Sequence, residues 1–279
     1  ANSLMSIITL TTDFGTKDHF VGAVKGAIYS ELPHAKIVDI THQISPFNIT
    51  ETAYILKNSY KSFPDGTIHI IGVDSELNDT NKHIALALDN HYFVCPDNGL
   101  ICMITKDIKP TKVVEINIHD RIESSFPVLD VFVQVACFIS RGGNLTVIGK
   151  ETSVYKEMTE IQPKVSQDQK IITGGVIYID NYGNIISNIN KKLFIEIGKG
   201  RDFKILASRY TFSKIMNKYN EILNDDFSDT RQYDGSKLAL FNSAGYLEIA
   251  VYRSNLKTVG GASTLLGLDY RDTISIEFT

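Results

Sequence analysis

The stretch SIITLTTDFGTKDHFVGAVKGAIYSELPHAKIVDIT, residues 6–41, sets the architecture of the chain. It opens on a short β-rich run, SIITLTT. In the DHFVGAVKGAIYSEL that follows, Phe20, Val24, Ala27 and Ile28 recur at helical spacing, and AKIVDIT returns to a strand. The alternation runs on. NITETAYILKNSYKSF reads as a helix, TIHIIGVD, HIALALD, HYFVCP and TKVVEIN read as strands, and VLDVFVQVACFISRG reads as a mostly buried helix. Strands and helices at this spacing predict a partly parallel sheet with helical crossovers. Ligands of such sheets gather at strand carboxyl ends, and Asp13, His42 and Asp74 all sit at or just past one.

Around residues 155–173 the chain turns polar and loses its period, as a linker would. Beyond it, GGVIYIDNYGNIISNI, DFKILASRYTF, KLALFNSAGYLEIAVY and DTISIEFT read as alternating strands joined by Gly- or Asn-bearing turns. The expectation is an α/β protein: an N-terminal α/β domain over 5–160 with a partly parallel sheet, and a smaller antiparallel, barrel-like β domain over 172–279. The segment 213–237 interrupts the second domain with a short helix and an acidic loop.

A chain of 279 residues, 43% hydrophobic and 22% charged, has ample material for buried cores. Its net charge of -4 argues against nucleic acid or an anionic membrane as partner, and no apolar run approaches the ~20 residues that span a bilayer. The opening ANSLMSIITLTT has no basic segment followed by a long apolar one, so no secretory leader is expected, and Met5 reads as the natural start. Three cysteines, Cys95, Cys102 and Cys137, lie in apolar contexts and read as free thiols in a reducing cytoplasm.

Asp13-Phe14-Gly15 spells the magnesium-holding triplet of protein kinases, but at position 13 no Gly-rich loop, strand lysine or catalytic loop precedes it. Walker, G-x-G-x-x-G and G-x-S-x-G patterns are missing, and the seven histidines show no metal-ligand spacing. What remains is a set of carboxylates at strand ends, each able to accept two hydrogen bonds from the vicinal diol of a ribose. Asp13 is the best placed; its alternative role is an N-cap for the helix beginning near Asp18. Asp74 and Asp180 read equally as turn formers. From the residues alone, the chain is an α/β binder of a nucleoside-like molecule.

In order along the chain, ITLTTDFGTKDHFVGAVKGAI, IVDITHQISPFNITETAYIL, FPDGTIHIIGVD, FVCPDNGLI, GGVIYIDNYGNIISNI and NSAGYLEIAV resemble the S-adenosylmethionine hydrolase (adenosine-forming) family. That family includes S-adenosylmethionine-dependent fluorinases and chlorinases. The resemblance covers nearly the whole chain. It implies a homotrimer with sites between subunits, attack of water or hydroxide on the ribose C5′, and release of adenosine and L-methionine. It implies no metal and no cofactor beyond S-adenosyl-L-methionine as substrate. Carried over by position, Asp13 grips the ribose hydroxyls and Phe47 lies beside ribose and adenine, with Phe14 and Phe126 counted among the substrate contacts. Asp180 holds the methionine ammonium, Tyr182, Asn184 and Phe212 meet the adenine, and Ser243 meets the methionine carboxylate.

The water-activating set departs from the pattern. Hydrolases of the family read VDPGVG, an Arg seven residues beyond the Asp, and later TFHGRD. Here Asp74 is kept, Asn81 stands in the Arg position, and SSFPVLD puts Pro127 at the His and Leu129 at the following Arg. Asp74, Asn81 and Lys82 are therefore the catalytic expectation. Lys82 or His83 could supply the missing Arg, and His119 or Arg121 the missing His. Val128, at the halide contact of the halogenases, has no side-chain donor. The alternative is a non-catalytic binder of S-adenosylmethionine or adenosine. An insertion before GGASTLLGLD leaves Arg253 and Ser254 open as adenine contacts.

Overall fold

A computed structural model describes residues 6–122, 124–158, 160–216, 236–252 and 261–279, without the side chains of residues 120 and 121. The chain forms two compact units, 1–160 and 161–279.

Unit one begins with β1 (Ile7–Thr12), α1 (Phe20–Glu31), β2 (Lys36–Thr41), α2 (Ile49–Lys57) and β3 (Ile68–Gly72). It continues with β4 (His83–Leu88), β5 (His91–Pro96), α3 (Leu100–Ile104), β6 (Lys112–Ile116), α4 (Val133–Ser140) and β7 (Gly149–Glu151). The sheet order is β2-β1-β3-β5-β4-β6-β7. The β2-β1-β3-β5 half is parallel and the β5-β4-β6-β7 half antiparallel, so the sheet is mixed, as the helical crossovers and the hairpin at Asp89-Asn90 require. Pleating sends alternate residues to opposite faces. Ile68 and Ile70 join Val24, Ile28, Val131 and Phe132 in one core; Ile71 joins Ala53, Leu56, Leu100 and Phe93 in the other. α1 and α4 thus cover one face, α2 and α3 the second.

Two local details differ from the sequence reading. α1 starts at Phe20 after His19, so Asp13 does not cap it and its carboxylate is left for other partners. The helix expected from Val128 opens with a π-helical turn, Val128–Phe132, before α4. Single π turns of this kind are frequent at functional sites.

Unit two comprises β8 (Lys164–Val165), β9 (Ile171–Ile179), β10 (Ile185–Asn190), α5 (Lys191–Gly198), β11 (Phe203–Ala207), β12 (Tyr210–Phe212), β13 (Lys237–Phe241), β14 (Tyr246–Val251), α6 (Ala262–Leu266) and β15 (Thr273–Phe278). The named strands pair antiparallel, in the order β12-β11-β15-β9-β10-β14-β13 with β8 beside β9, and the sheet curls into a nearly closed barrel around Ile172, Ile185, Ile249 and Ile276. The polar stretch read as a linker carries β8 and the first residues of β9, joined by a tight turn in which Ser166 donates to Asp168 and Gln169 is left-handed. α5 lies between two runs read as strands; Asn190 caps it by accepting the Leu193 N–H at 2.7 Å. The expected helix and acidic loop of 213–237 fall mostly outside the described residues, as do Arg253 and Ser254.

Candidate functional site

Parallel register places Thr12 opposite Gly72, so the segments after β1 and β3 leave the sheet side by side at its carboxyl edge. There the Asp13 N–H donates to the Gly72 carbonyl at 3.4 Å, and Asp13 Oδ2 accepts the Phe47 N–H at 3.1 Å. Partial burial pushes the Asp13 carboxyl above the usual carboxylate range, and the nearby Asp74 charge adds to this. The backbone N–H groups of Phe47, Asp13 and Asp74 pull the other way by stabilising the ionised form. Phe47 and Asp74, which converge on Asp13, both have left-handed backbones, with φ of 62° and 51°. Non-glycine residues held there cost about 1–3 kcal/mol each and cluster at ligand sites. Phe47 is 70% exposed, an unusual state for so large an apolar residue.

Beside this carboxylate lies an aromatic wall. The rings of Phe14, Phe20 and Phe126 meet at centroid distances of 5.4–5.8 Å. Phe126 is set by a closed turn in which Ser124 donates to Asp130 at 2.6 Å and the Asp130 N–H returns to the Phe126 carbonyl. Val128 is fully buried against Gly72.

From Thr12 runs a hydrogen-bonded chain that sequence reasoning had not assembled. Thr12 Oγ1 lies 2.7 Å from His42 Nδ1, and His42 Nε2 lies 2.8 Å from Asp39 Oδ1, whose other oxygen takes Lys25. Lys25 and His42 together hold the Asp39 carboxyl below its ordinary range, against the burial that would raise it. With the Nε2 proton donated to Asp39, Nδ1 accepts the Thr12 hydroxyl, which in turn accepts the Phe14 N–H at 3.3 Å. The chain fixes the backbone on which Asp13 sits. His42 stood out at its strand end; Thr12 and Asp39, lying within strand patterns, gave no signal.

Around Asp74, the structure places the three neighbours differently. The Asn81 amide is buried and donates to the carbonyls of Asp74 and Glu76, both at 2.8 Å. Lys82 is exposed, its carbonyl taking the Asp97 N–H. His83 is fully buried; its Nε2 donates to the Ser75 carbonyl at 2.7 Å, and its Nδ1 is 2.7 Å from His119 Nε2. Burial drives the His83 pKa down to about 4, with the Ser75 carbonyl opposing and His119 assisting. Among the described residues, no three His, Cys, Asp or Glu side chains are grouped to hold a metal.

In unit two the Asp180–Asn184 turn is closed by one side chain. Asp180 Oδ1 accepts the N–H groups of Tyr182 and Asn184, both at 2.9 Å, and Oδ2 accepts the Asn184 amide at 3.0 Å. Tyr182 is thrown outward, 61% exposed, while Asn184 is buried with its Oδ1 unpartnered among the described residues. Ser263 N–H donates to the Gly183 carbonyl, tying the start of α6 to this turn. Phe212, at the end of β12, is half-buried against the barrel core. Ser243 is exposed in the β13–β14 turn, whose Gly245 carbonyl takes the Lys191 N–H at the far end of β10. Asp180, Tyr182 and Asn184 are thus brought together, and Ser243 stands a strand's length away from them.

A carboxylate at the carboxyl edge of parallel strands, walled by aromatic rings, is the arrangement of a small-molecule site in an α/β sheet. Comparison with known proteins narrows the class. Residues 8–149 match the model of the SAM hydroxide adenosyltransferase N-terminal domain, and residues 174–275 that of the C-terminal domain. An (R)-S-adenosyl-L-methionine hydrolase of Methanocaldococcus jannaschii is 33% identical, covering 99% of this chain and 97% of that one. A fluorinase of Nocardia brasiliensis is 23% identical over 92% and 95% of the two chains. An uncharacterized conserved protein from Thermotoga maritima has the same fold, with a TM-score of 0.81 and 28% identity over 97% and 99% of the two chains. The chain belongs to the SAM hydroxide adenosyltransferase family.

Proposed function

We propose that this protein hydrolyses S-adenosyl-L-methionine to adenosine and L-methionine. The water oxygen forms a bond to C5′, the C5′–S bond breaks, and its electron pair neutralises the sulfonium as methionine leaves. The water proton passes to the Asp74 carboxylate and on to solvent. The departing sulfonium is already activated, so the protein's part is to hold the nucleoside in line with the water and to keep other water out. The observation that carries the reading is the Asp13 carboxylate, fixed by the Phe47 N–H at the sheet's carboxyl edge and facing Asp74. In this reading Asp13 accepts the two ribose hydroxyls, and Phe47, Phe14 and Phe126 wall the sugar and base. Asp180, Tyr182, Asn184, Phe212 and Ser243 serve the methionine and adenine from the second unit of a neighbouring subunit. The assembly in this reading is a cytoplasmic homotrimer, and the exposure of Phe47 and Tyr182 leaves them open to a neighbouring subunit.

Purified protein incubated with S-adenosylmethionine, with and without chloride, and analysed for nucleosides tests the reaction, with Asp74→Ala as control. Adenosine from the wild type and none from the variant supports a hydrolase using Asp74. A chlorinated nucleoside would overturn the choice of water. The second reading, a binder without turnover, is favoured by Asn81 and Pro127 at the positions where relatives of the hydrolase pattern carry Arg and His. Saturable binding in calorimetry without product would select it.

A further inference from the structure

Four consecutive carbonyls in the turn that carries Asp74 are each held by a buried side chain from farther along the chain. Val73 O accepts from Asn98 at 3.2 Å, Asp74 O and Glu76 O from the single Asn81 amide, and Ser75 O from His83. Turn carbonyls ordinarily face water; here none of the four does so alone. Asn81 Oδ1, by contrast, is buried with no partner among the described residues. Leaving a buried acceptor unpaired costs about 1–3 kcal/mol. The amide is therefore oriented for its two donors at the expense of its acceptor.

We infer that Asn81 and His83 are positioning residues, a neutral brace that fixes Asp74 for catalysis in place of a charged activating group. The consequence for rate rests on the hydrolase reading; the brace itself does not. Asp74 is left-handed with its N–H directed at the Asp13 carboxylate. Without the carbonyl bonds on either side, the turn relaxes toward the common φ < 0 basin, which rotates that N–H and the attached carboxylate away from Asp13. Only a group with two N–H donors on one nitrogen can serve carbonyls 74 and 76 together, which suits Asn and excludes Asp. At 83, the bond is made from Nε2, a position that Gln reproduces and Asn does not.

The test uses the full chain carrying Asn81→Ala, Asn81→Asp, His83→Gln or His83→Asn. Hydrogen exchange of the peptide covering residues 72–77 should quicken tenfold or more in N81A, further in N81D and in H83N more than in H83Q, with peptides of 171–190 unchanged. With S-adenosylmethionine as substrate, kcat should fall about ten- to a hundredfold in N81D, the order expected for a misplacement of about 1 Å, while KM moves less than threefold. Unchanged exchange in N81D, or equal exchange in H83Q and H83N, overturns the brace. Faster exchange with kcat unchanged overturns its positioning role. A wild type that forms no adenosine refutes the hydrolase reading instead, and the exchange results together with adenosine affinity by calorimetry then decide the brace alone.

Discussion

Acidification from pH 8 to pH 5 should weaken unit one far more than its carboxylates alone would allow, because two of its histidines are sealed in as neutral rings. His69 lies wholly buried between Thr9 Oγ1 at 2.6 Å and His91 at 3.1 Å, stacked on Phe93. Burial, with His91 assisting, drives its pKa down to about 3, and that of His83 to about 4. Unfolded, both titrate near 6.5. Between 6.5 and the folded values the unfolded chain binds protons that the native state refuses, so stability is full above pH 6.5 and drains as the pH falls. At pH 5 the loss per histidine is the cost of forgoing protonation of an ordinary imidazole, about 2 kcal/mol, or about 4 kcal/mol for the pair. That figure barely depends on the folded pKa values so long as they lie below 5. His91, also shifted down by burial, acts in the same direction, although Asp89 and Asp65 oppose its shift. The raised Asp13 and Asp97 carboxyls act oppositely but only near the carboxylate range, and the depressed Asp39 adds its loss below pH 3.8. Against a typical 5–15 kcal/mol for a domain, the effect is large. Urea unfolding at pH 8, 7, 6 and 5, followed by hydrogen exchange of peptides from β3 to β5, measures it. His69→Gln keeps a polar group toward Thr9 without titrating, and should flatten the profile by about 2 kcal/mol. A wild type equally stable at pH 8 and 5, or an H69Q profile as steep as the wild type's, would refute the reasoning.

Three further outcomes follow from the carboxyl edge. Asp13→Asn should weaken adenosine or S-adenosylmethionine binding about 10- to 100-fold in calorimetry, since the amide loses charge and one acceptor; affinity within twofold of wild type removes Asp13 from the site. His42→Ala strands the buried Thr12 hydroxyl and should cost roughly 2–4 kcal/mol in urea unfolding, whereas Asp39→Asn, at 38% exposure, should cost under about 1. The reverse ranking would show that Asp39, not His42, anchors the segment. Gly72→Ala would set a Cβ 3.0 Å from Val128 Cγ2 and 3.2 Å from the Phe14 ring, and should destabilise by roughly 1–3 kcal/mol with a loss of ligand affinity; a stable variant that binds normally would mean the aromatic wall yields freely.

The architecture was legible because its signals are periodic. β1 and α1 differ in the spacing of apolar residues, and the switch from 3.6 to 2 after residue 170 marks the barrel. The place of Asp13 at the sheet's carboxyl edge was legible too, because a strand end in a parallel sheet is a place the topology itself defines. What could not be read was anything built from hydrogen bonds between distant backbone and side-chain atoms. The Thr12–His42–Asp39 chain joins three residues that each have an ordinary place in a strand or turn, and the Asp180 turn closes on itself through geometry that its letters share with any Asx turn.

The neighbourhood of Asp74 shows why charge alone is a poor guide to a substituted site. When Asn stands where an Arg is expected, the next cation along the chain, Lys82, invites itself as the replacement. The structure does not present the two side chains alike. Asn81 and His83 share the buried side, and Lys82 between them faces out. Among the buried groups that touch the turn of Asp74 are those at 81 and 83. At those positions the chain offers donors without a fixed charge. An Arg would bring its charge to the nucleophile, whereas this pair can act only by holding Asp74 still. The rate such a site reaches is set by how rigidly that turn is held, and the 72–77 segment is where a change at either residue must first register.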